Sequence, residues 1–593
     1  MKILGIADHI ISGAAIIEDG RVLAAVNEER LVRKKMVMGF PRKSIAAVLA
    51  LSNTRPEEVD YVAVASRQGH FLNEYVSFDE GLFGVDRGLV KNLFFSIGSK
   101  LSFLREKVPA LENLYYDLRK PVYAHRQREI RRIMKEEFGL PCPVEFIEHH
   151  FAHACSAFYS SGYPDALVAT LDGSGDGSSS LVYEVKDGRW HRLHQVRGFD
   201  SLGNYYAYVT QICGFKAGKH EGKITGLAAH GKDRYREILS RFIEYRDGTM
   251  VNVGNTWYTE AVKKLGAALP KDFDKADLAA TIQLLAEEIT NRYIGYWRNK
   301  TGQRHVALAG GVFANVRINQ RVHELPGVES LFIHPAMSDE GLPLGAALAL
   351  AYQKSPDPVR LNRRCFETVY LGPDFSDREI EKALDAEGVP HNVPANAEEE
   401  IARLIAEGYV VARVSGRMEY GPRALGNRSI LYRPDEPEVN NWLNKNLKRT
   451  EFMPFAPSTL YEEADRCYRN VEGARDAARF MTITFDCTPE MKKTCAGVVH
   501  VDGTARPQLV REQDNPGYYR IIKAFKERTG LPSIVNTSFN IHEEPIVCSP
   551  GDAIRAFKEG HLDVLAIGPF IAMNPEAPRR VRERNVERKT YTV

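Results

Sequence analysis

The feature that most constrains this chain is a strand–loop–strand–turn–strand unit that occurs twice, far apart in the sequence. In the first copy KILGIA is apolar, GAAIIE follows a short polar loop, and Asp19-Gly20 supplies a hairpin turn before RVLAAVNEE. In the second, DALVATLDGSGDGSSSLVYEVKDGRWHRLHQV gives an apolar strand, a Gly/Ser/Asp loop, a second strand, the turn Asp187-Gly188 and a third strand. Two copies of one unit suggest a duplicated architecture. Any two antiparallel hairpins share this outline, so the repeat by itself leaves duplication and coincidence open.

In the actin and sugar-kinase type of fold, such polar loops face one another across a cleft and hold nucleotide phosphates. Two later segments fit an α/β domain of that kind. HVALAGGVFANVRINQRV reads as a buried strand, a turn at Gly310-Gly311 and a helix whose N-terminus offers N–H groups. LFIHPAMSDEGLPLGAALALAYQ reads as a strand, a polar turn containing Asp339 and a small-residue helix. The segment SPDPVRLNRRC reads as a linker, and beyond it strand and helix segments alternate. A chain of 593 residues needs at least two cores. We place them at 1–355 and 366–593.

EHHFAHACSAF, residues 148 to 158, puts His149 and His153 on one helix face a turn apart, with His150 pointing elsewhere. A chance H-x-x-x-H pair is common, and satisfied or solvated histidines outnumber metal ligands. Two features favour ligands: small residues (Ala152, Ala154, Ser156, Ala157) that allow close packing, and Asp172 and Asp339, each at the end of an apolar strand. Two imidazoles and two carboxylates suit iron, manganese or zinc. The chain has no H-E-x-x-H.

In the second region GRMEYGPRALGNRSILYRP holds Arg417, Arg423, Arg428 and Arg433, followed by Lys448 and Arg449, then Arg506 in HVDGTARPQ, then Asn536 and Ser538 in IVNTSFN. Arginine forks match phosphate or carbamoyl oxygens, and Asn and Ser complete such a site with neutral hydrogen bonds. The apolar company of MPFAP, GPRALG and IVNTSF argues against four separate surface patches, and an interior arginine is expected to need an anionic partner.

With these residues assembled, the chain resembles the ATP-dependent O-carbamoyltransferases of antibiotic and nodulation-factor biosynthesis. The resemblance runs over nearly the whole chain, through EHHFAHACSAF, LDGSGDG, HEGKITGLAAHG, LAGGVFANVRIN, SDEGLPLGAA, GRMEYGPRALGNRSI, HVDGTARPQ and NTSFN in that order. It implies a duplicated actin/sugar-kinase-like N-terminal domain of the threonylcarbamoyl transferase type and a YrdC-like α/β C-terminal domain. The C-terminal domain would cleave carbamoyl phosphate and adenylate the carbamate with ATP and Mg2+. The N-terminal domain would pass the carbamoyl group to a hydroxyl of a small molecule such as an antibiotic, a sugar or another natural product. By motif position His149, His153, Asp172 and Asp339 would hold a divalent metal, Fe2+. Arg417, Arg423, Lys448, Arg449, Arg506, Asn536 and Ser538 would bind carbamoyl phosphate and ATP, with Arg506 also catalytic. Gly173, Gly175, Lys223, Gly310, Gly311 and Asn315 would meet the nucleotide in the N-terminal domain. Carbamate is unstable in water, so an enclosed route between the two sites would protect it.

The chain departs from the family pattern at two places. Family members carry His-Asp directly before the Gly/Ser-Ala-Ala of the first hairpin, where this chain has Ile11-Ser12, with Asp8 and His9 slightly earlier. His9 is therefore the candidate catalytic base. Met453 stands where the family has an arginine, beside Lys448 and Arg449. The formal net charge of +2 argues against a dedicated nucleic-acid or membrane partner and against a tRNA-directed transferase. A nucleotide-binding scaffold without chemistry is favoured only by Ile11-Ser12. No apolar run approaches the roughly 20 residues of a membrane span. The eight cysteines show no C-x-x-C pair and read as reduced core thiols. A cytoplasmic enzyme, with a homodimer possible, is the expectation.

Overall fold

The two copies of the hairpin unit fold into two sheets of one topology. In the first sheet β1 (Lys2–Ala7), β2 (Gly13–Glu18), β3 (Arg21–Asn27), β4 (Tyr61–Ala65) and β5 (Val144–Ile147) lie in the order β3-β2-β1-β4-β5. The hairpin strands are antiparallel, and β1, β4 and β5 are parallel. In the second, β6 (Ala166–Thr170), β7 (Ser178–Lys186), β8 (Arg189–Arg197), β9 (His305–Ala309) and β10 (Ser330–Ile333) repeat the arrangement as β8-β7-β6-β9-β10, with the same directions. The repeat seen in the sequence is thus a repeat of one whole sheet topology, as expected for a fold of the actin and sugar-kinase type. Both hairpins turn on Asp-Gly pairs with positive φ at each residue (48° and 81° at Asp19-Gly20, 51° and 72° at Asp187-Gly188), as a tight two-residue turn demands. β6 is buried throughout because both sheet faces are covered, whereas the edge strand β8, RWHRLHQVR, is largely open to solvent and blunted by charge.

Five helices matter to the site: α1 (Pro109–Glu136), α2 (His149–Ser161), α3 (Lys275–Thr301), α4 (Val316–His323) and α5 (Leu342–Lys354). Helix α5 is buried from Leu342 to Ala351. Its alanines and glycine let it press against the first sheet and against α2. A Cβ on Gly345 would stand 2.0 Å from the Ala152 carbonyl oxygen of α2, and one on Gly5 of β1 would stand 1.9 Å from that of Pro343. No side chain fits at either contact.

The computed structural model describes residues 1–77, 109–355, 366–436, 442–445, 447 and 455–591. The chain divides into two units, Met1–Glu29 with Met36–Phe366, and Arg30–Lys35 with Glu367–Val593. The second unit carries a seven-stranded mixed sheet. Its strands are β11 (Val411–Val414), β12 (Arg428–Tyr432), β13 (Ala456–Leu460), β14 (Gln508–Val510), β15 (Ser533–Ser538), β16 (Val564–Ile567) and β17 (Phe570–Met573). Their order is β14-β13-β15-β12-β11-β16-β17. Helices Ala397–Ala406 and Pro516–Thr529 cover it, packing Ile401, Leu404, Ile405, Ile521 and Phe525 on Val411, Leu431 and Ile534. Each such side chain, removed from water, contributes about 1.5–3 kcal/mol. Arg33, on the short segment that joins this unit, donates to the carbonyls of Pro545 (2.8 Å) and Ile546 (2.7 Å) and faces Asp552 at 3.3 Å. The linker prolines, Cys365 and most of the aromatic stretch after residue 77 lie outside the described residues. The described cysteines are all free thiols. Among the described residues no helix is long and apolar enough to cross a membrane.

Candidate metal centre and arginine-rich loop

Helix α2 begins at Glu148, whose carboxylate accepts from the N–H groups of His150 (3.1 Å) and Phe151 (2.6 Å), a cap that fixes the first turn. That turn presents His149 and His153 on one face, their ring centroids 4.8 Å apart. Asp172 follows β6, and Asp339 opens the turn before α5. His149 Nε2 lies 3.3 Å from Asp172 Oδ2 and 3.8 Å from Asp339 Oδ1; His153 Nε2 lies 3.3 and 3.4 Å from the same two atoms. One donor atom from each residue falls within 4.8 Å of all the others. Four N and O ligands each about 2.1 Å from a common ion in a tetrahedral arrangement stand about 3.4 Å apart. The observed spacing fits.

The electrostatics agree with that fit. Burial pushes His149 down, but its hydrogen bond to Asp172 and the charge of Asp339 outweigh burial and raise it to about 9. His153, which burial would lower, is raised by the same two carboxylates. Burial would raise Asp172, yet the two imidazoles hold it well below the carboxylate range. His153 Nε2 and Asp339 Oδ1 are buried and make no well-directed hydrogen bond. Donors of this kind, facing one another without satisfying one another, suit a divalent cation. His150 is different: its Nε2 meets the Ser178 carbonyl at 3.0 Å and its Nδ1 the Thr170 hydroxyl at 2.9 Å. Burial and the neighbouring histidines depress it to about 3. It is a satisfied core residue.

The loops around the cluster are tied together by a residue that sequence reading missed. Asp176 accepts from Ser66 Oγ, the N–H groups of Arg67 and Gln68 (each 2.8 Å) and that of His149 (2.9 Å). Beside it His9 Nε2 meets the Gln68 carbonyl at 3.1 Å, and Nδ1 lies 3.7 Å from Asp8 Oδ1. Burial lowers His9 despite the Asp8 carboxylate. Arg126 of α1 grips Asp8 with two donors (2.9 and 2.5 Å), and both side chains are almost wholly buried. Ile11 and Ser12 do not open toward this group: Ile11 is 5% exposed, and Ser12 is inaccessible and donates to the Val37 carbonyl.

The residues expected at a nucleotide site have structural tasks of their own. Gly310, at φ 112°, passes the Leu171 carbonyl so closely that a Cβ would lie 2.2 Å from it, and Gly311 abuts Asp172. Gly175 faces the His149 ring, and the Gly173 N–H donates to Asp172 Oδ1 at 2.7 Å. Asn315 caps α4, accepting from Arg317 and Ile318, and donates to Gln283 at 2.7 Å. Lys223 is buried, its ammonium 5.9 Å from the Phe215 ring centre.

In the second unit the loop from Gly416 to Arg428 is a frame of buried hydrogen bonds. Glu419 Oε1 accepts from the N–H groups of Leu425 (2.8 Å), Asn427 (2.7 Å) and Arg428 (3.0 Å). Asn536 donates to the Ala424 carbonyl (3.2 Å), Gln508 to that of Leu425 (2.8 Å) and Arg413 to that of Gly426 (2.6 Å). Arg417 donates to the carbonyls of Leu371 (2.6 Å) and Gly372 (3.2 Å). Arg423 lies half-buried in this loop; Arg506 follows the short strand Thr504–Ala505, and Ser538 ends β15 opposite Ser429. The expectation that an interior arginine needs an anionic partner is corrected at Arg428 and met at Arg433. Arg428 is 1% exposed and spends its donors on the carbonyls of Ser415 (3.3 Å), Gly416 (3.1 Å) and Asn427 (2.8 Å). Arg433 forks onto Asp435, both contacts 2.7 Å. Backbone oxygens supply enough partial charge to satisfy the Arg428 guanidinium, and a carboxylate serves Arg433. Lys448, Arg449 and Met453 lie outside the described residues.

Comparison with known proteins matches both regions of the chain. The family model "Carbamoyltransferase N-terminus" matches residues 2–348, and "Carbamoyltransferase C-terminus" matches residues 402–574. The chain is 32% identical to Nodulation protein NolNO of Sinorhizobium fredii over 94% of its own length and 78% of that protein's. It is 34% identical to Nodulation protein NolO of Bradyrhizobium diazoefficiens over 72% and 78% of the two chains. It is 31% identical to protein MJ1051 of Methanocaldococcus jannaschii over 96% and 99%. With both family models matched in order and relatives aligned along nearly its whole length, the chain belongs to the carbamoyltransferase family, enzymes that transfer carbamoyl groups.

Proposed function

We propose that this carbamoyltransferase works in two steps, one in each unit, and that its acceptor is a hydroxyl of a small molecule. The observation that carries the division is the membership of the two residue sets. The His149, His153, Asp172 and Asp339 cluster falls wholly in the first unit, and the loop bearing Arg417 and Arg423, with Arg506, Asn536 and Ser538, falls wholly in the second. In the second unit, of YrdC-like type, water hydrolyses carbamoyl phosphate, the bond to the phosphate oxygen breaks, and carbamate and inorganic phosphate result. A carbamate oxygen then attacks the α-phosphorus of ATP, forming carbamoyl-adenylate and releasing pyrophosphate. Arg423 and Arg506, with Lys448 and Arg449, neutralise the phosphate oxygens, and Ser538 adds a neutral donor. The hydrogen-bonded frame around Arg423 means little reorganisation is left for the moment of reaction.

In the first unit the acceptor oxygen attacks the carbamoyl carbon, the bond to the adenylate oxygen breaks, AMP leaves, and the hydroxyl proton passes to a base. His9 is that base in this reading. Its lowered pKa keeps the ring neutral near pH 7. His149, His153, Asp172 and Asp339 would hold a divalent metal, and iron suits the donor set. Such an ion, when bound, supplies Lewis-acid stabilisation of the adenylate oxygens. Asp176 keeps the His9 loop and the α2 N-terminus in fixed register through its four hydrogen bonds.

The test is pyrophosphate release by purified protein with ATP, with and without carbamoyl phosphate and with no acceptor. Release that depends on carbamoyl phosphate supports the first step and opens a mass-based screen of hydroxylated acceptors. No release from folded, metal-loaded protein removes the carbamoyl-adenylate route.

A further inference from the structure

The frame around Arg423 is closed from a distant part of the chain. Residues Arg30–Lys35 fold with the second unit, although the segments on either side of them, up to Glu29 and from Met36, belong to the first. Arg30 is 3% exposed, and its Nη2 donates to the Gly421 carbonyl at 2.7 Å. Gly421 has φ 103° and lies two residues before Arg423. The other carbonyls of this turn are held from within the second unit's main segment, Ala424 by Asn536, Leu425 by Gln508 and Tyr370, and Gly426 by Arg413. The Gly421 carbonyl instead takes its donor from Arg30, which lies outside Glu367–Val593. Arg33 anchors the same segment on the Pro545 and Ile546 carbonyls and on Asp552.

From this we infer that Arg30 is a positioning residue for the second unit's chemistry, holding the Gly421 carbonyl so that Arg423 meets its anionic substrate in one fixed pose. The second unit's site is therefore incomplete without a piece of sequence that lies more than three hundred residues upstream. A positively charged donor suits this place, since a charge-assisted bond to a carbonyl is stronger than a neutral one and fixes the glycine end of the turn. The inference rests on the reading of the second unit as the carbamoyl-phosphate and ATP site.

The experiment uses the full chain as wild type, Arg30→Ala and Arg30→Lys, and reads carbamoyl-phosphate-dependent pyrophosphate release with no acceptor. Positioning predicts that Arg30→Ala lowers kcat/KM for carbamoyl phosphate about ten-fold or more, with KM raised, while the metal content of the first unit stays unchanged. Arg30→Lys, which can still donate to the carbonyl, recovers part of the loss. A merely structural role predicts a smaller active fraction with unchanged KM and no recovery with lysine, and that result overturns the inference. Should Arg30→Ala not fold, Arg30→Met, which keeps the bulk but cannot donate, decides alone: a raised KM in folded protein supports positioning, and wild-type constants refute it. If the wild-type protein itself releases no pyrophosphate, the reading of the second unit fails, and this inference falls with it.

Discussion

The metal cluster of the first unit and the arginine-rich loop of the second both bury charge, but they treat it in opposite ways. In the cluster, His153 Nε2 and Asp339 Oδ1 are buried without a well-directed hydrogen bond, and the two imidazoles are raised while Asp172 is held low. In the loop, Arg428 and Arg413 are equally buried, yet carbonyl oxygens take their donors. An unsatisfied set is built for a guest, because a buried polar group left without a partner costs about 1–3 kcal/mol. A satisfied set is a scaffold. Burial of a charge therefore does not mark a binding site; what its partners are does.

The contrast is broken most severely by removing one member of each set. His153→Ala is expected to abolish metal retention and to lower carbamoyl transfer at least about a hundred-fold, since even outer-shell changes cost 10–100-fold in such sites. Pyrophosphate release should survive. Arg423→Ala should do the reverse, losing pyrophosphate release while the metal stays. Elemental analysis and the pyrophosphate assay read both variants. If either substitution removes both activities from folded protein, the two sets do not act separately.

How much of this was visible in the sequence follows from the range of the interactions. The duplicated hairpins were legible because Asp19-Gly20 and Asp187-Gly188 need only their own backbone to specify a turn. His149 and His153 were legible because helical spacing is local. Asp172 and Asp339 showed as acids at strand ends. What stayed hidden depends on contacts across the chain. Arg126 lies 118 positions from Asp8, and Arg30 lies 391 from Gly421. Glu419 was hidden for another reason: its partners are backbone N–H groups, which leave no mark on residue identity. For the same reason Arg428 and Arg433 looked like anion ligands, when carbonyls and Asp435 already serve them.

Asp8 offers a third treatment of buried charge, a carboxylate closed by its own counter-ion. Burial would raise it, but the Arg126 guanidinium holds it below the usual range. Arg126→Leu leaves that carboxylate buried and alone, and we expect a loss of about 3–5 kcal/mol in urea unfolding. Asp8→Asn with Arg126→Leu should recover much of it, because the stranded charge is gone. A loss under about 1 kcal/mol in the single variant would mean that water reaches Asp8, against its burial.

Titration sharpens the comparison further. His149 sits above its unfolded value in the metal-free protein, at about 9, so its contribution to stability is complete below about pH 6.5 and is lost as pH rises through 9. Asp172 is depressed, so its contribution is present above its unfolded value near 3.8 and is lost on acidification. Metal binding runs the other way across the alkaline range, since a ligating imidazole must shed its proton and affinity rises with pH. Chelator-treated protein should therefore lose Tm between pH 6.5 and 9 while metal-loaded protein holds it. Parallel curves for the two forms would show that His149 does not exchange its proton for an ion.

The smallest effect is expected at Asn315, where a ligand role and a structural role make different demands. Its Oδ1 accepts from the first free N–H groups of α4, and its Nδ2 donates to Gln283, so the amide is already committed at both ends. Asn315→Ala should cost about 1 kcal/mol, the usual worth of such a cap, and Asn315→Ser should restore most of it because a hydroxyl caps equally well. Carbamoyl transfer should follow stability in both variants. A serine variant that keeps its unfolding midpoint but loses transfer ten-fold would instead assign Asn315 to the nucleotide. It would then join His153 among residues whose partner comes from outside the chain, and the line between scaffold and site would move from the backbone frame of α4 into the cleft itself.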